Sequence, residues 1–193
     1  FRSIQSPIVL VVAKEHPASG VCTELIAPGL TRIGAMQPYT AMFELMMAEL
    51  QKPILATSAN VSGSPIIYKD GEALQLLTTI ADYFLVHNRE IEIAQDDSVV
   101  QFSSSHHQHL VLRRSRGFAP TVSQDAFSCE TILAMGADMK SSFALQANGR
   151  IYTSQYLGDL ESYESQESYR KALFHLLELV KARADRIIID AHP

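Results

Sequence analysis

Cysteine is scarce and scattered. The 193 residues hold two, Cys22 and Cys129, without the paired spacing of a metal knuckle. That argues against a disulfide framework and leaves free thiols in a reducing compartment as the expectation. No apolar run approaches the roughly 20 residues that a bilayer crossing takes. No signal-peptide pattern opens the chain either, so the expectation is no membrane role and a cytoplasmic location. An excess of positive charge is also lacking: 16 Lys and Arg face 21 Asp and Glu, for a formal net charge of −5. This balance disfavours broad nucleic-acid binding, and no aromatic-basic stripe compensates for it.

What is present reads as a folded α/β (α+β) protein of one domain or two small ones, with 47% apolar and 19% charged residues. Its focal stretch is Pro53-Ile54-Leu55-Ala56-Thr57-Ser58-Ala59-Asn60-Val61-Ser62-Gly63. A short apolar run, suited to a buried strand, gives way to small hydroxyl and amide residues. These expose backbone N–H groups and add donors with little bulk, as a nest for phosphate or carboxylate requires. A polar turn leaving a strand is the plainer alternative.

Before that loop, Ile8 to Val12 is β-rich, and residues 14–38 carry enough Pro and Gly to read as loop. Tyr39, Met42, Phe43, Met46, Met47 and Leu50 then fall on one helical stripe, expected to face the core. After it, Asp70 is the expected N-cap of a second helix, with Ala73, Leu76, Leu77, Ile80 and Ala81 as its stripe. Tyr83 to Val86, Val99 to Phe102 and Leu110 to Leu112 read as strands. Between the last two lie His106, His107 and His109, whose spacing on a loop favours a solvated hairpin over a metal site. Arg113, Arg114 and Arg116 end the last strand and crowd positive charge where an anion could meet it, with a solvated basic edge as the equal alternative on local sequence.

Residues 120–130 have linker character, and beyond them the pattern restarts. A strand from Ile132 to Met135 runs into Gly136-Ala137-Asp138-Met139-Lys140-Ser141-Ser142. Two strands flank Asn148-Gly149, a strong hairpin signal. A long helix follows, striped by Tyr169, Ala172, Leu173, Leu176, Leu177 and Val180, and a strand from Ile187 to Ile189 comes after it. Strand, glycine-and-hydroxyl turn, hairpin, helix, strand is how an actin-like or ribonuclease-H-like ATPase begins, with the turn placed to hold phosphates. Neither chain end reads as a natural terminus, and a piece of something longer is expected.

Eight segments in this order resemble the hydrogenase-maturation carbamoyltransferases, the HypF family: IAPGLTRIGAMQPYTAM, PILATSANVSGSPI, FLVHNREI, DDSVV, LRRSRGFAP, ILAMGADMKSSFAL, SQYLGDLES and IIIDAHP. The serine–asparagine loop alone indicates the wider YrdC-like group. LRRSRGFAP running into GADMKSSF and SQYLGDLES points to the hydrogenase branch, which joins a YrdC-like module to an actin-like one. QPYTAM departs from the family's usual LPYTPL at the entrance to the methionine helix.

The resemblance implies a partial YrdC-like twisted sheet with helices over 1–120, a linker at 121–130, and the opening of an actin-like transfer domain over 131–193. It implies ATP, Mg²⁺ and carbamoyl phosphate as ligands. An acylphosphatase-like domain releases carbamate, the YrdC-like domain makes carbamoyl-adenylate, and the actin-like domain passes the carbamoyl group to a C-terminal cysteine of the partner HypE. That product becomes the cyanide ligand of a nickel–iron centre. Zinc or iron is expected in the full-length protein only. Here the acylphosphatase part, the zinc motifs and the early Lys/Arg segment that grips ATP phosphates are absent, so the piece is expected to be inactive alone.

Expected nucleotide contacts are Thr57, Ser58, Asn60 and Ser62, with Arg113 and Arg116 as phosphate partners. By resemblance Ser98 touches the carbamoyl group. Asp96 and Asp97 are Mg²⁺ candidates, with capping of a strand or pairing with an arginine as an equally strong alternative, and Asp138, Lys140 and Ser141 form a second nucleotide loop. No nucleophile presents itself, and His192 closes DAHP without a readable role. Two alternatives stand beside this reading: a threonylcarbamoyl-adenylate synthase of tRNA modification, and a non-catalytic YrdC-like RNA-binding module.

Overall fold

Ile8–Val12 is aliphatic throughout and β-branched at every position but Leu10, and it forms β1 in a computed structural model of the chain. The structure describes residues 3–14, 20–61, 63–103, 105–106 and 108–191. Ser62, His107 and His192, all singled out in the sequence, lie outside them. The chain divides into two units, one of 1–57 with 97–118 and one of 58–96 with 119–193.

In the first unit β2 (Arg32–Ala35) pairs antiparallel with β1, and β3 (Val99–Phe102) runs parallel to β1 on its other side. β4 (His109–Arg113) returns antiparallel to β3, giving the order β2-β1-β3-β4. Val9 and Val100 sit in register on β1 and β3, and both are buried. A short α1 (Thr23–Ile26) precedes β2, and α2 (Ala41–Leu50) follows it. Thr40 caps α2 by accepting from the Phe43 N–H at 3.2 Å, and Gln51 ends it in the left-handed region.

The structure corrects several expectations. Residues 14–38 are not all loop: they supply β2, which lacks a strand-like sequence and is held by its ladder to β1. Pro53 to Leu55 and Tyr83 to Val86 form no strand, because no segment among the described residues pairs with their backbone in a ladder. The α2 stripe is not buried: no α2 residue is, and Met42, Met46 and Leu50 are 43%, 36% and 42% exposed. Asp70 is the first residue of α3 (Asp70–Leu76), whose N-cap is Lys69. Of that helix's expected stripe, Leu77 is buried while Leu76 and Ile80 stay exposed.

The second unit is built around α4 (Tyr163–Val180) and a five-stranded sheet. The strands are β5 (Thr121–Ser123), β6 (Ile132–Ala134), β7 (Ala144–Ala147), β8 (Arg150–Thr153) and β9 (Arg186–Ile188), in the order β5-β8-β7-β6-β9. β9 runs parallel to β6, and every other pairing is antiparallel. The Asn148-Gly149 turn closes β7 onto β8 as the sequence predicts. β5 lies within the stretch read as linker, where it extends the sheet beside β8.

α4 is capped by Ser162, whose Oγ accepts from the Ser165 N–H at 3.1 Å. It lays Tyr169, Ala172, Leu173 and Leu176 on Leu133, Phe143, Leu145 and Ala147. These eight residues are buried; of the six-residue helical stripe read from spacing, four are among them, while Leu177 and Val180 are partly buried against the same core. The helix and hairpin thereby fix the two connections that matter below: Gly136 to Ser142 after β6, and Ser154 to Ser162 between β8 and α4.

Candidate functional site

β4 delivers Arg113 to the rim of its sheet, where the chain turns through Arg114, Ser115, Arg116 and Gly117. The turn is closed by the Phe118 N–H donating to the Ser115 carbonyl at 2.9 Å. Gly117 has φ +85°, and a Cβ there would lie 2.5 Å from the Gln5 carbonyl oxygen. Only glycine admits both the conformation and the approach.

Behind the turn lies a polar knot. Ser98 is fully buried; its Oγ accepts from the Ser115 N–H at 2.7 Å and donates to the Arg116 carbonyl at 2.9 Å. The Arg113 Nε donates to the Asp97 carbonyl at 2.8 Å. Arg116 meets the Asp97 carboxylate through Nε and Nη2, each 2.7 Å from the same oxygen. Its Nη2 and Nη1 also donate to the carbonyls of Ser6 and Gln5, at 2.9 and 3.4 Å. The guanidinium lies 3.7 Å from the centre of the Tyr39 ring, a cation–π contact. Burial pushes the Tyr39 phenol above its ordinary value; the Asp97 charge adds to the rise and Arg116 opposes it.

This geometry revises three expectations. Arg116 was expected to meet phosphate, but Asp97 already neutralises its charge and its donors hold the loop at Gln5 and Ser6. It pins the turn. Ser98 was expected to touch a carbamoyl group, yet it has no exposed surface and its one proton goes to Arg116. Asp97 is committed to Arg116 through Oδ1, and the neutralising guanidinium disfavours a divalent cation beside the same carboxylate. Among the described residues no group of three or more His, Cys, Asp and Glu could hold a metal ion. The same holds for the histidines: His106 bonds Ser105, and His109 stacks between Phe102 and Phe118 at 5.4 and 5.7 Å.

The serine–asparagine loop belongs to the second unit from Ser58 onward, while Thr57 is an exposed residue of the first. Ser58 Oγ donates to Asn60 Oδ1 at 2.6 Å. Asn60 Nδ2 donates to the carbonyls of Val61 and Ser64, both at 3.1 Å. The Ile67 N–H closes the loop on the Ala59 carbonyl at 2.8 Å. Asn60 therefore shapes an exposed loop from within.

In the second unit Asp138, Lys140 and Ser141 share one connection, and residues 157–160 clamp it. The Leu157 N–H donates to the Ser141 carbonyl at 2.8 Å, the Ser141 N–H to Gly158 at 2.7 Å, and the Leu160 N–H to Asp138 at 3.1 Å. Asp159 Oδ1 accepts from the Lys140 N–H at 2.6 Å. Gly136 opens the loop at φ +77°, where an added Cβ would collide with the Ser142 carbonyl oxygen. Ser141 Oγ is buried with no hydrogen-bond partner among the described residues, a polar group left available at the loop's base.

The sequence offers pairing with an arginine as one reading of Asp97, but not which arginine, and it missed the Tyr39 face of the knot, since an arginine beside others reads as one more cation. The glycine directly after Arg116 was the available signal that the chain turns there against something close.

A mixed four-stranded sheet ending in an arginine turn, followed by the opening of a ribonuclease-H-like sheet with a glycine turn, defines a YrdC-like module joined to the start of an actin-like one. Residues 1–115 match the Sua5/YciO/YrdC family model, described as "Telomere recombination", and residues 128–193 match the HypF Kae1-like domain. The chain belongs to the YrdC-like family, in the HypF branch where that module runs into a Kae1-like one. It is 38% identical to carbamoyltransferase HypF of Synechocystis over 100% of its own length and 25% of that protein's. A probable carbamoyltransferase HypF of Methanocaldococcus jannaschii is 35% identical, covering 99% and 24%. The crystal structure of HypF from T. kodakarensis superposes with a TM-score of 0.85 at 36% identity over 98% of this chain and 24% of that one. A full-length HypF in the phosphate- and nucleotide-bound form gives 0.86 at 32%, covering 97% and 29%. The chain thus spans about a quarter of the length of the curated relatives it matches.

Proposed function

We propose that this chain carries parts of two nucleotide sites of a cytoplasmic carbamoyltransferase. The first serves adenylation: a carbamate oxygen attacks the α-phosphorus of ATP, pyrophosphate leaves, and carbamoyl-adenylate forms. The second serves transfer: a cysteine thiolate of the partner HypE attacks the carbamoyl carbon, and AMP leaves. The carbamate comes from carbamoyl phosphate, hydrolysed by an acylphosphatase-like part outside this chain.

The observation that carries the reading is the pairing, in one chain, of a braced arginine turn with a clamped glycine-and-hydroxyl loop. Adenylation requires charge to be absorbed at phosphate by groups already in position. Arg113, steered by the Asp97 carbonyl at the end of β4, is assigned to phosphate. Arg116, Asp97 and Ser98 hold its turn. Thr57, Ser58, Asn60 and Ser62 supply the nucleotide-facing loop, and Asp138, Lys140 and Ser141 the second one. A similar HypF has been captured with phosphate and nucleotide bound, which supports the assignment.

The test is equilibrium binding of a non-hydrolysable ATP analogue to the 193-residue chain. Arg113→Ala and Lys140→Ala are each expected to weaken binding about tenfold at one of two sites, the loss of one charge-assisted contact. Unchanged binding in both variants overturns the reading. Carbamoyl-phosphate-dependent ATP–pyrophosphate exchange is expected to be absent from this chain by itself, and its recovery would show that no further phosphate-gripping segment is needed.

A further inference from the structure

Gln155 is a buried amide that the proposed chemistry does not use. Its Nε2 donates to the Ala94 carbonyl at 2.7 Å. Its own backbone is fixed by Ser154, whose Oγ accepts from the Phe143 N–H at 2.9 Å and donates to the Gln155 carbonyl at 2.8 Å. The same connection continues into Leu157, Gly158, Asp159 and Leu160, the residues that clamp the Asp138–Ser141 loop. One short stretch between β8 and α4 therefore holds that loop at one end and Ala94 at the other.

The segment it grips needs the support. Among the described residues of 58–96, which include Ser58 and Asn60, Leu77 alone is buried. Ile93 packs against the α4 core, and with Gln95 it lines a cavity of about 170 Å³ shared with Phe143, His175 and Leu179. A second tie comes from α4, where Lys171 Nζ donates to the Tyr68 hydroxyl at 2.6 Å. That pair is exposed, so its contribution is small.

We infer that Gln155 is a positioning residue that straps residues 93–96 to the second module and couples them to the proposed nucleotide loop at Asp138–Ser141. The strap stands on geometry alone; the coupling rests on the reading of Asp138–Ser141 as a nucleotide loop. A nucleotide that orders residues 136–142 also orders 154–160, and residues 93–96 then lose less freedom in holding their place.

Hydrogen exchange resolved by mass spectrometry on the 193-residue chain decides both parts. Gln155→Ala is expected to speed exchange at 93–96 about fivefold, the loss of one buried hydrogen bond, with α4 unchanged as the folding control. Ile93→Ala loosens the same residues from the strap side and serves if Gln155→Ala does not fold. A non-hydrolysable ATP analogue is expected to slow exchange at 136–142 and 93–96 together in the parent chain, but at 136–142 alone in Gln155→Ala. Unchanged exchange at 93–96 in both variants overturns the strap. Equal slowing at 93–96 with and without Gln155 overturns the coupling. Absence of slowing at 136–142 in every chain refutes the nucleotide-loop reading and the coupling with it, while the variants without nucleotide still decide the strap.

Discussion

Helices α2 and α4 carry the same local instructions and meet different fates. Each has an apolar stripe at helical spacing, a hydroxyl N-cap (Thr40, Ser162) and a left-handed C-cap (Gln51, Lys181). α4 buries Tyr169, Ala172, Leu173 and Leu176, whereas α2 buries nothing. The sheet that α4 lies on is made within this chain, by the hairpin next to it in sequence. Spacing therefore states which face of a helix needs covering; whether it is covered depends on which surfaces the rest of the polypeptide supplies. The two units differ accordingly. The second is organised by an apolar cluster, while the first buries Val9 and Val100 alongside Ser98 and Ser115 and is held by the polar knot around Arg116.

Truncating one apolar side chain in each unit puts that contrast at most risk. Leu145 has no exposed surface, so Leu145→Ala should cost about 2–5 kcal/mol through lost transfer energy and a residual cavity. Met46→Ala on the exposed α2 face should stay within about 0.5 kcal/mol. Denaturant midpoints of the two variants measure the difference, and comparable losses would mean that the α2 stripe is covered after all. The next largest effect tests the knot. Gly117→Ala forces a side chain into φ +85° and against Gln5, at a cost of about 1–3 kcal/mol. Exchange in β1 and β4 should rise while β7 stays protected; a uniform rise would show that the units do not differ in what holds them.

The same contrast explains what could be read from the sequence. The hairpin at Asn148-Gly149, the α4 stripe, β1, β3 and β6 were legible because their partners are near in sequence or their runs are strongly β-forming. β2 was not, since Arg32-Ile33-Gly34-Ala35 is a strand by virtue of its ladder to β1. Pro53 to Leu55 and Tyr83 to Val86 failed in the opposite sense, having strand-like composition and no ladder. At the candidate site, spacing grouped Asp138, Lys140 and Ser141 in one loop, because a loop is local. It could not separate Arg113 from Arg116, whose roles diverge through contacts with Gln5, Ser6 and Asp97. Nor could it pair Gln155 with Ala94, since nothing local marks an amide whose partner lies on a distant segment.

The smallest effect is also the one that separates polar from apolar burial most finely. Two tyrosines, one in each unit, have phenols raised above the ordinary 10.0. For Tyr169 the cause is burial against the α4 core, where its hydroxyl donates to the Met135 carbonyl at 2.5 Å. For Tyr39 burial leads, the Asp97 charge adds, and Arg116 opposes. In both, the fold favours the protonated phenol, so at alkaline pH the native state binds the proton more tightly than the unfolded chain does. The stabilisation is complete below the ordinary tyrosine value and is lost as pH rises above it. Denaturation midpoints between about pH 8 and 11 should therefore fall toward the alkaline end, less steeply in Tyr39→Phe and in Tyr169→Phe. Asp97→Asn discriminates between the causes: spectrophotometric titration should show the Tyr39 phenol moving down toward its ordinary value while Tyr169 stays where burial alone holds it. If both phenols move together, or neither does, the charge in the knot does not act on Tyr39 and the two units bury their tyrosines in the same way.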